Sequence, residues 1–473
     1  MIDGLKPYPA YKDSGMEWLG QVPEHWEVRR LKVAVAHINE QTNANNPDAL
    51  YIALEHVESW TGRLRLPSGD IQFDSQVKRF RAGDVLFGKL RPYLAKVVRP
   101  EQSGVCVGEF FVLRAKSVVS PHYLEVVLRS VRAIDFVNSS TYGAKMPRAD
   151  WTFVGAMLFP LPPIPEQTAI VRFLDWADWR IRRVIRARQR RIKLLEEYKQ
   201  ALIHQAVTGK IDVRTGRPYP AYKPSGVEWL GDVPAHWEVR RLKHVAHIHT
   251  GGTPAGLLDE AFDENGIPWV KPDHLLADKG LLDPDRRLSI KAAQSIGIIK
   301  RGSLLVCGIG SVGKVGFAPY DLCTNQQINA ITFSRAIFER FGHFLGLCLA
   351  QEFVKRSNKV TIAICNKSQM GEVSICVPPL NQQTAIVEYL DAQTAKIDAA
   401  ISATRHAIEL LREYRERLIA DVVTGKVDVR EVAAQLPEEP DEEDASWMDN
   451  EERAQGETLN GEDDHAAISE EDE

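Results

Sequence analysis

Two stretches of the chain, residues 166–207 and 382–423, contain neither proline nor glycine and are rich in Ala, Leu, Ile, Glu, Arg and Lys. That composition predicts two long helices, and Gly209 and Gly425 supply the stop signals just beyond them. Each would be roughly 40 residues, or about 60 Å at the α-helical rise. Apolar positions recur in both at heptad spacing. The first seam runs through Leu174, Ile181, Ile185, Ile192, Leu195 and Leu202; the second runs through Leu390, Ile397, Ile401, Ile408, Leu411 and Leu418. Arg188, Lys199, Thr404 and Arg415 are polar members of the same seams. This rhythm places the apolar residues on one stripe, as in a coiled coil, and the obvious partner of each helix is the other.

The chain is written twice. PYPAYKDSGMEWLGQVPEHWEVRRLK (7–32) returns as PYPAYKPSGVEWLGDVPAHWEVRRLK (218–243), with 22 of 26 positions identical at an offset of 211. A second pair, residues 162–214 and 378–430, matches at 26 of 53 positions at an offset of 216 and contains the two helical stretches. Between these repeats lie two segments, roughly 33–161 and 244–377, that look little alike. Two near-identical frames around two different inserts predict a pseudo-twofold molecule in which each insert meets a target by an equivalent route. TGKVDVR after the second helix would lead into PYPAYK as TGKIDVR does after the first, which would bring the chain ends together.

Both inserts read as mixed, strand-rich blocks. The first contains GDVLFGKLRPYLAKVVRP (83–100) and a helical stretch over His122–Asn138; the second contains GSLLVCGIGSVGKVGFAPY (302–320) and a helical stretch over Ala336–Ser357. Together with the helices this gives an α+β class: two mixed α/β domains separated by an antiparallel coiled coil. The boundaries read as 1–161, 162–214, 215–377 and 378–430, then an acidic tail, 431–473. Gly308, Gly310 and Gly313 spell GxGxxG, but the segment after them is β-branched and carries Pro319, whereas phosphate binding needs a helix to start there. We read the motif as a glycine-rich turn between two strands.

Charge changes the picture of partners. The net charge of −5 hides a tail from Glu431 to Glu473 with eighteen acidic residues and one basic one, about −17. The remainder holds 58 basic and 46 acidic residues, hence +12, which suits a polyanion. Base edges are read by Arg, Lys, Asn and Gln, and phosphates are held by Lys and Arg. Candidates in turn-rich stretches are Lys89, Arg91, Tyr93, Lys145 and Arg148 in the first block, and Lys314, Asn325, Gln326, Gln327 and Asn329 in the second. Trp18, Trp26, Trp229 and Trp237 belong to the repeated frames and are expected to pack. The first long helix adds a run of Arg180, Arg182, Arg183, Arg186, Arg188, Arg190, Arg191 and Lys193 that the second largely lacks. The tail's composition predicts disorder, with a solubilising role or competition with DNA for the basic body.

Catalytic signatures are missing. No proline pair is followed by an aromatic, as an adenine methyltransferase loop requires, and no PD pair has a fitting (D/E)xK downstream for a magnesium-dependent nuclease. The six cysteines, Cys106, Cys307, Cys323, Cys348, Cys365 and Cys376, form no CxxC pair and read as reduced thiols rather than a metal site. No run of eighteen apolar residues occurs and the N-terminus lacks a signal-type core, so a cytoplasmic chain without membrane contact is expected.

The frame EWLG-x-VP-x-HWEVRRLK, the helix starts PLPPIPEQTAIVRFLD and VPPLNQQTAIVEYLD, and the VTGK ends resemble the specificity (S) subunit of type I restriction–modification enzymes. So do GKLRPYLAKV (88–97), HTGGTPAGLLDEAFDENGIPWVKPDHL (249–275) and SVGKVGFAPYDLCTNQQINAI (311–331), so the likeness covers nearly all of 1–430. The resemblance implies two target-recognition domains on a helical spacer, each reading one half of a split double-stranded DNA site. It also implies two methyltransferase (M) subunits and restriction/translocase (R) subunits as partners. S-adenosylmethionine, ATP and Mg would sit on those partners, with no cofactor, metal or catalysis in this chain. The acidic tail lies outside the resemblance.

Overall fold

The computed structural model describes residues 5–43, 50–66, 76–141, 143, 146–254, 261–276, 280–359 and 362–437. Lys145 and the acidic residues from 438 onward lie outside this set. The chain divides into two compact units, Met1–Arg186 with Ile408–Glu473, and Ala187–Ala407.

The long helices span Ile164–Val207 and Leu380–Val423, 44 residues each, so the periodicity located them to within two residues at their starts. Each contributes one half to each unit. In the first unit, Leu174 and Ala177 of the first helix share a core with Leu418 and Val422 of the second. In the second unit, Leu202 and Ala206 share a core with Leu390, Ile397 and Ile401. Within each unit the N-terminal half of one helix thus meets the C-terminal half of the other, a pairing internal to that unit. Polar seam positions are matched across it: Arg415 binds Asp178 in the first unit, and Lys199 Nζ lies 2.9 Å from Asp398 Oδ1 in the second. Lys199 is only 6% exposed, so a carboxylate at that position offsets the desolvation of a buried ammonium.

The two inserts share a sheet although their sequences differ. In the first unit the order is Val35–Ile38, Phe110–Ala115, Val85–Gly88, Val97–Val98, every pair antiparallel. In the second it is Ala246–Thr250, Ile328–Phe333, Leu304–Cys307, Val315–Phe317, again antiparallel throughout. Short runs such as FFVLRA and INAITF are apolar enough to be covered on both faces, and their first four residues are buried in each case. The frames add a strand pair to each unit, Glu27–Arg30 with Leu158–Leu161 and Glu238–Arg241 with Ser374–Val377.

Two elements differ from the sequence reading. The stretch 122–138 forms two helices, Pro121–Arg129 and Val131–Ser139, because Ser130 is extended and its hydroxyl donates to the Val127 carbonyl at 2.7 Å. The second block's helix spans Glu339–Lys355. The acidic segment does not begin as a free tail either: Arg430–Gln435 is a helix whose Ala433 is buried in the first unit's core.

Candidate nucleic-acid interface

Each unit is locked by one residue in the first turn of a long helix. Glu166, 5% exposed, accepts from the Tyr8 hydroxyl at 2.7 Å and the Trp26 indole at 2.8 Å, and pairs with His25 at 2.8 Å. A carboxylate there also faces the positive end of the helix dipole. Burial, then the bond to Glu166, pushes the Tyr8 phenol well up, so it remains a donor. The second unit repeats the arrangement with a neutral group. Gln382 accepts from the Trp237 indole at 2.8 Å and the Tyr219 hydroxyl at 3.5 Å, beside His236. Trp26 and Trp237 are fully buried, so they pack, as their place in the repeats suggested.

The next glutamine ties each insert to its helix. Gln167 accepts from the Ser120 amide at 2.8 Å and donates to the Pro162 and Val118 carbonyls. Gln383 accepts from the Phe338 amide at 2.7 Å and donates to the Pro378 and Ala336 carbonyls. Both side chains are fully buried and satisfied, so the insert's orientation on its helix is set by directional bonds as well as apolar packing. Sequence reading gave these glutamines no role, because a QT pair at a helix start has no chemical signature beyond its repetition.

The first unit's candidates come together on one edge. The Arg91 amide donates to the Pro147 carbonyl at 2.7 Å, and the Ala149 amide to the Lys89 carbonyl at 2.8 Å, which joins loop 88–96 to loop 147–149. Arg91 and Ala95 adopt left-handed φ values of 49° and 48° around the turn Pro92–Leu94. Non-glycine residues held there are strained, a feature that clusters at functional loops. The loop presents Arg91 and Tyr93 to solvent. Lys89 and Arg148 flank Glu109 at 4.0 and 3.3 Å. Two further residues belong to this neighbourhood and were missed. Lys78, 7% exposed, donates to the Phe110 carbonyl, and its ammonium is lowered by burial and then by Lys89. Burial, Lys78 and Lys89 lower the His37 imidazole as well, which favours its neutral form.

In the second unit the candidates separate. Lys314 is exposed, and so is Gln326, which accepts from the Thr253 hydroxyl at 2.7 Å. Asn325 and Asn329 are 7% and 4% exposed. Asn325 binds the half-buried Gln327, and Asn329 accepts from Thr250 at 2.7 Å, so their amides shape the loop from within. The GxGxxG segment joins strands Leu304–Cys307 and Val315–Phe317, as expected for a turn. A Cβ on Gly308 would lie 2.5 Å from Asn329 Nδ2, and one on Gly313 would lie 2.7 Å from Val354 Cγ2. These glycines therefore permit close packing inside the unit, and the segment opens no helix that could cradle a phosphate.

The repeat also closes. The Asp428 amide donates to the Lys6 carbonyl at 2.7 Å, as the Asp212 amide donates to Arg217 at 2.8 Å. Tyr11 binds the Lys426 carbonyl, as Tyr222 binds that of Lys210. The first unit is thus completed by a non-covalent joint between the chain's two ends, where the second has a continuous backbone.

Among the described residues no helix is long and apolar enough to cross a membrane, and no His/Cys/Asp/Glu group could hold a metal ion.

Residues 234–409 match the family model of the type I restriction modification DNA specificity domain. The type I restriction enzyme MjaVIII specificity subunit of Methanocaldococcus jannaschii is 21% identical over 442 residues, covering 87% of this chain and 95% of that protein. Two solved structures share the fold. The HsdS subunit from Thermoanaerobacter tengcongensis superposes with a TM-score of 0.51 at 23% identity, over 86% of this chain and 98% of that one. A chain from a study of complex assembly and conformational transition of the type I R-M system superposes with 0.69 at 23% identity, over 85% and 98%.

Proposed function

We propose that the chain is a non-catalytic DNA-recognition subunit of the type I restriction–modification specificity-subunit family and that it reads a DNA site in two separated halves, a reading supported by the matching family model and by similarity to specificity subunits over most of its length. The observation that carries this reading is the recurrence of one sheet order, 35–38, 110–115, 85–88, 97–98 and its counterpart 246–250, 328–333, 304–307, 315–317, beneath loops of unrelated sequence. One scaffold with two different readers suits an asymmetric, interrupted target.

In this reading residues 33–161 serve one half-site and 244–377 the other. Lys89, Arg91, Tyr93, Arg148, Lys314, Gln326 and Gln327 face DNA, while Asn325 and Asn329 support the second loop. Lys145 is a further candidate beyond the described residues. The helices act as a pseudo-twofold antiparallel coiled coil that sets the gap and docks two methyltransferase subunits. S-adenosylmethionine, ATP and Mg belong to those partners and to the translocase–nuclease subunits.

Exchanging residues 33–161 for the corresponding block of a relative tests the proposal. One half of the methylated sequence should change while the other half and the gap stay constant. A wholly unchanged site would refute it. Adding one heptad to both helices gives the complementary test. Seven residues lengthen a helix by about 10 Å, or roughly three base pairs of B-DNA, so the gap should grow with both half-sequences intact.

A further inference from the structure

The first long helix carries a stripe that the repeated frame does not explain. Arg172, Trp176, Trp179, Arg180 and Arg183 recur at helical spacing and fall on one face. Arg180 lies over the Trp176 ring at 5.0 Å and Arg183 over the Trp179 ring at 5.5 Å. Trp176 and Trp179 are half-buried, and Arg180 is exposed. At the corresponding positions of the second helix, 216 residues on, stand Glu388, Ala392, Ala395, Lys396 and Ala399. Three alanines and a glutamate serve the frame there and only Lys396 keeps a cation, so helix pairing requires neither the tryptophans nor the full run of arginines. Guanidinium groups stacked on indoles form a platform that is cationic above and apolar at its flanks.

The chain's own acidic segment starts at the end of this stripe. The helix Arg430–Gln435 is anchored in the first unit's core, and Arg172 donates to the Leu436 carbonyl at 2.5 Å. The residues that follow Pro437 read EEPDEEDASWMD (438–449), seven of twelve acidic, with Trp447 and Met448 behind the acidic cluster. Arg172 to Arg183 is eleven helical steps, about 17 Å, and an extended chain covers that in roughly five residues. Counted from Leu436, the densest run of acids therefore lies within the chain length needed to span the stripe. A tethered segment meets such a surface at an effective concentration on the order of millimolar.

We propose that residues 438–449 dock on the Arg172–Arg183 stripe of the first long helix, so that the acidic segment is an intramolecular occupant of a cationic, tryptophan-flanked face. Charge complementarity, the point of departure at Leu436 and the reach of the chain select this occupant over DNA phosphate or a second protein. The contact rests on salt-sensitive ion pairing, so it is displaceable. It is independent of whether the two inserts read separate half-sites.

Digestion of the full chain with a glutamate-specific protease tests this without DNA or partners. Cleavage after the glutamates between Glu438 and Glu443 is compared, by mass spectrometry, with cleavage after Glu470 and Glu471, which lie beyond the docked stretch and serve as an internal standard. The proximal sites should be protected at low salt. Their cleavage relative to the distal sites should rise about tenfold in a Trp179→Ala/Arg180→Glu variant, from the loss of the paired charges and the indole support. The same rise should appear in the unaltered chain between 50 and 500 mM salt, which keeps the test valid should the variant lose helix by circular dichroism. A proximal-to-distal ratio indifferent to both the substitutions and salt would overturn the proposal and leave the stripe to another occupant.

Discussion

Replacing Gly425 by alanine should open the joint between the chain's ends. Gly425 has φ +74°, and a Cβ there would lie 2.2 Å from Pro23 Cδ, 2.7 Å from Pro23 Cγ and 3.1 Å from Trp26 Cη2. Left-handed backbone costs an alanine about 1–2 kcal/mol, and forcing a methyl into a filled site costs a further 1–3 kcal/mol or so. Gly216 separates the two contributions: its φ is +69° but nothing lies within 4 Å of its Cβ position, so only the backbone cost applies. Because the first unit is joined non-covalently, the Gly425→Ala strain can be relieved by releasing residues 425–436 from the N-terminal frame. The Asp428 amide, which donates to Lys6, is the reporter. Its hydrogen exchange should accelerate by at least about tenfold relative to the unaltered chain, while Gly216→Ala leaves it unchanged. Equal protection of Asp428 in the two variants would refute the claim that this glycine is required by packing against Pro23 and Trp26.

Three further outcomes follow from the geometry. Asp398→Ala removes a carboxylate from the buried Lys199, and because Asp398 is itself half exposed the expected cost is about 1–2 kcal/mol by chemical denaturation; Lys199→Met in the same chain should recover most of it. The Arg214 side-chain bond holds the Asp212 carboxyl below its ordinary range, so the pair's stabilisation is complete above the normal carboxylate pKa and is lost as pH falls through the depressed folded value. Protection of the Gly216 amide, which donates to the Asp212 backbone carbonyl, should hold from pH 7 to about 5 and decline below about 4; a decline above pH 5 would point to a different group. Arg91→Ala should weaken DNA binding and lower the salt dependence of log K by about one if the guanidinium meets phosphate; an unchanged slope and affinity would remove Arg91 from the interface.

What the chain's pattern revealed, and what it concealed, divides along physical lines. The long helices were legible because heptad spacing and the absence of proline and glycine leave little else for those residues to do. The predicted seam residues from Leu174 to Leu202 and from Leu390 to Leu418 are indeed buried or half-buried. The glycine-rich turn was legible from the β-branched residues behind it. The break at Ser130 was not, since one serine in a helical run is ordinary until its backbone turns extended. Nor could composition show that Asn325 and Asn329 are interior while Gln326 is exposed, because burial of an amide depends on partners supplied by distant strands. Glu109 and Lys78 escaped notice for the same reason. The substitution of Gln382 for Glu166 was visible as a mismatch in the repeat, but only the convergence of tyrosine, tryptophan and histidine shows that one lock is charged and the other neutral.

The central claim is that one chain inspects two separated stretches of duplex. Genome-wide methylation mapping in cells carrying this chain with the methyltransferase subunits proposed to dock on it tests it most directly. Two short dissimilar sequences at a constant spacing, both marked, are the predicted result. Marks on a single uninterrupted motif, or marks that share no sequence, would contradict it.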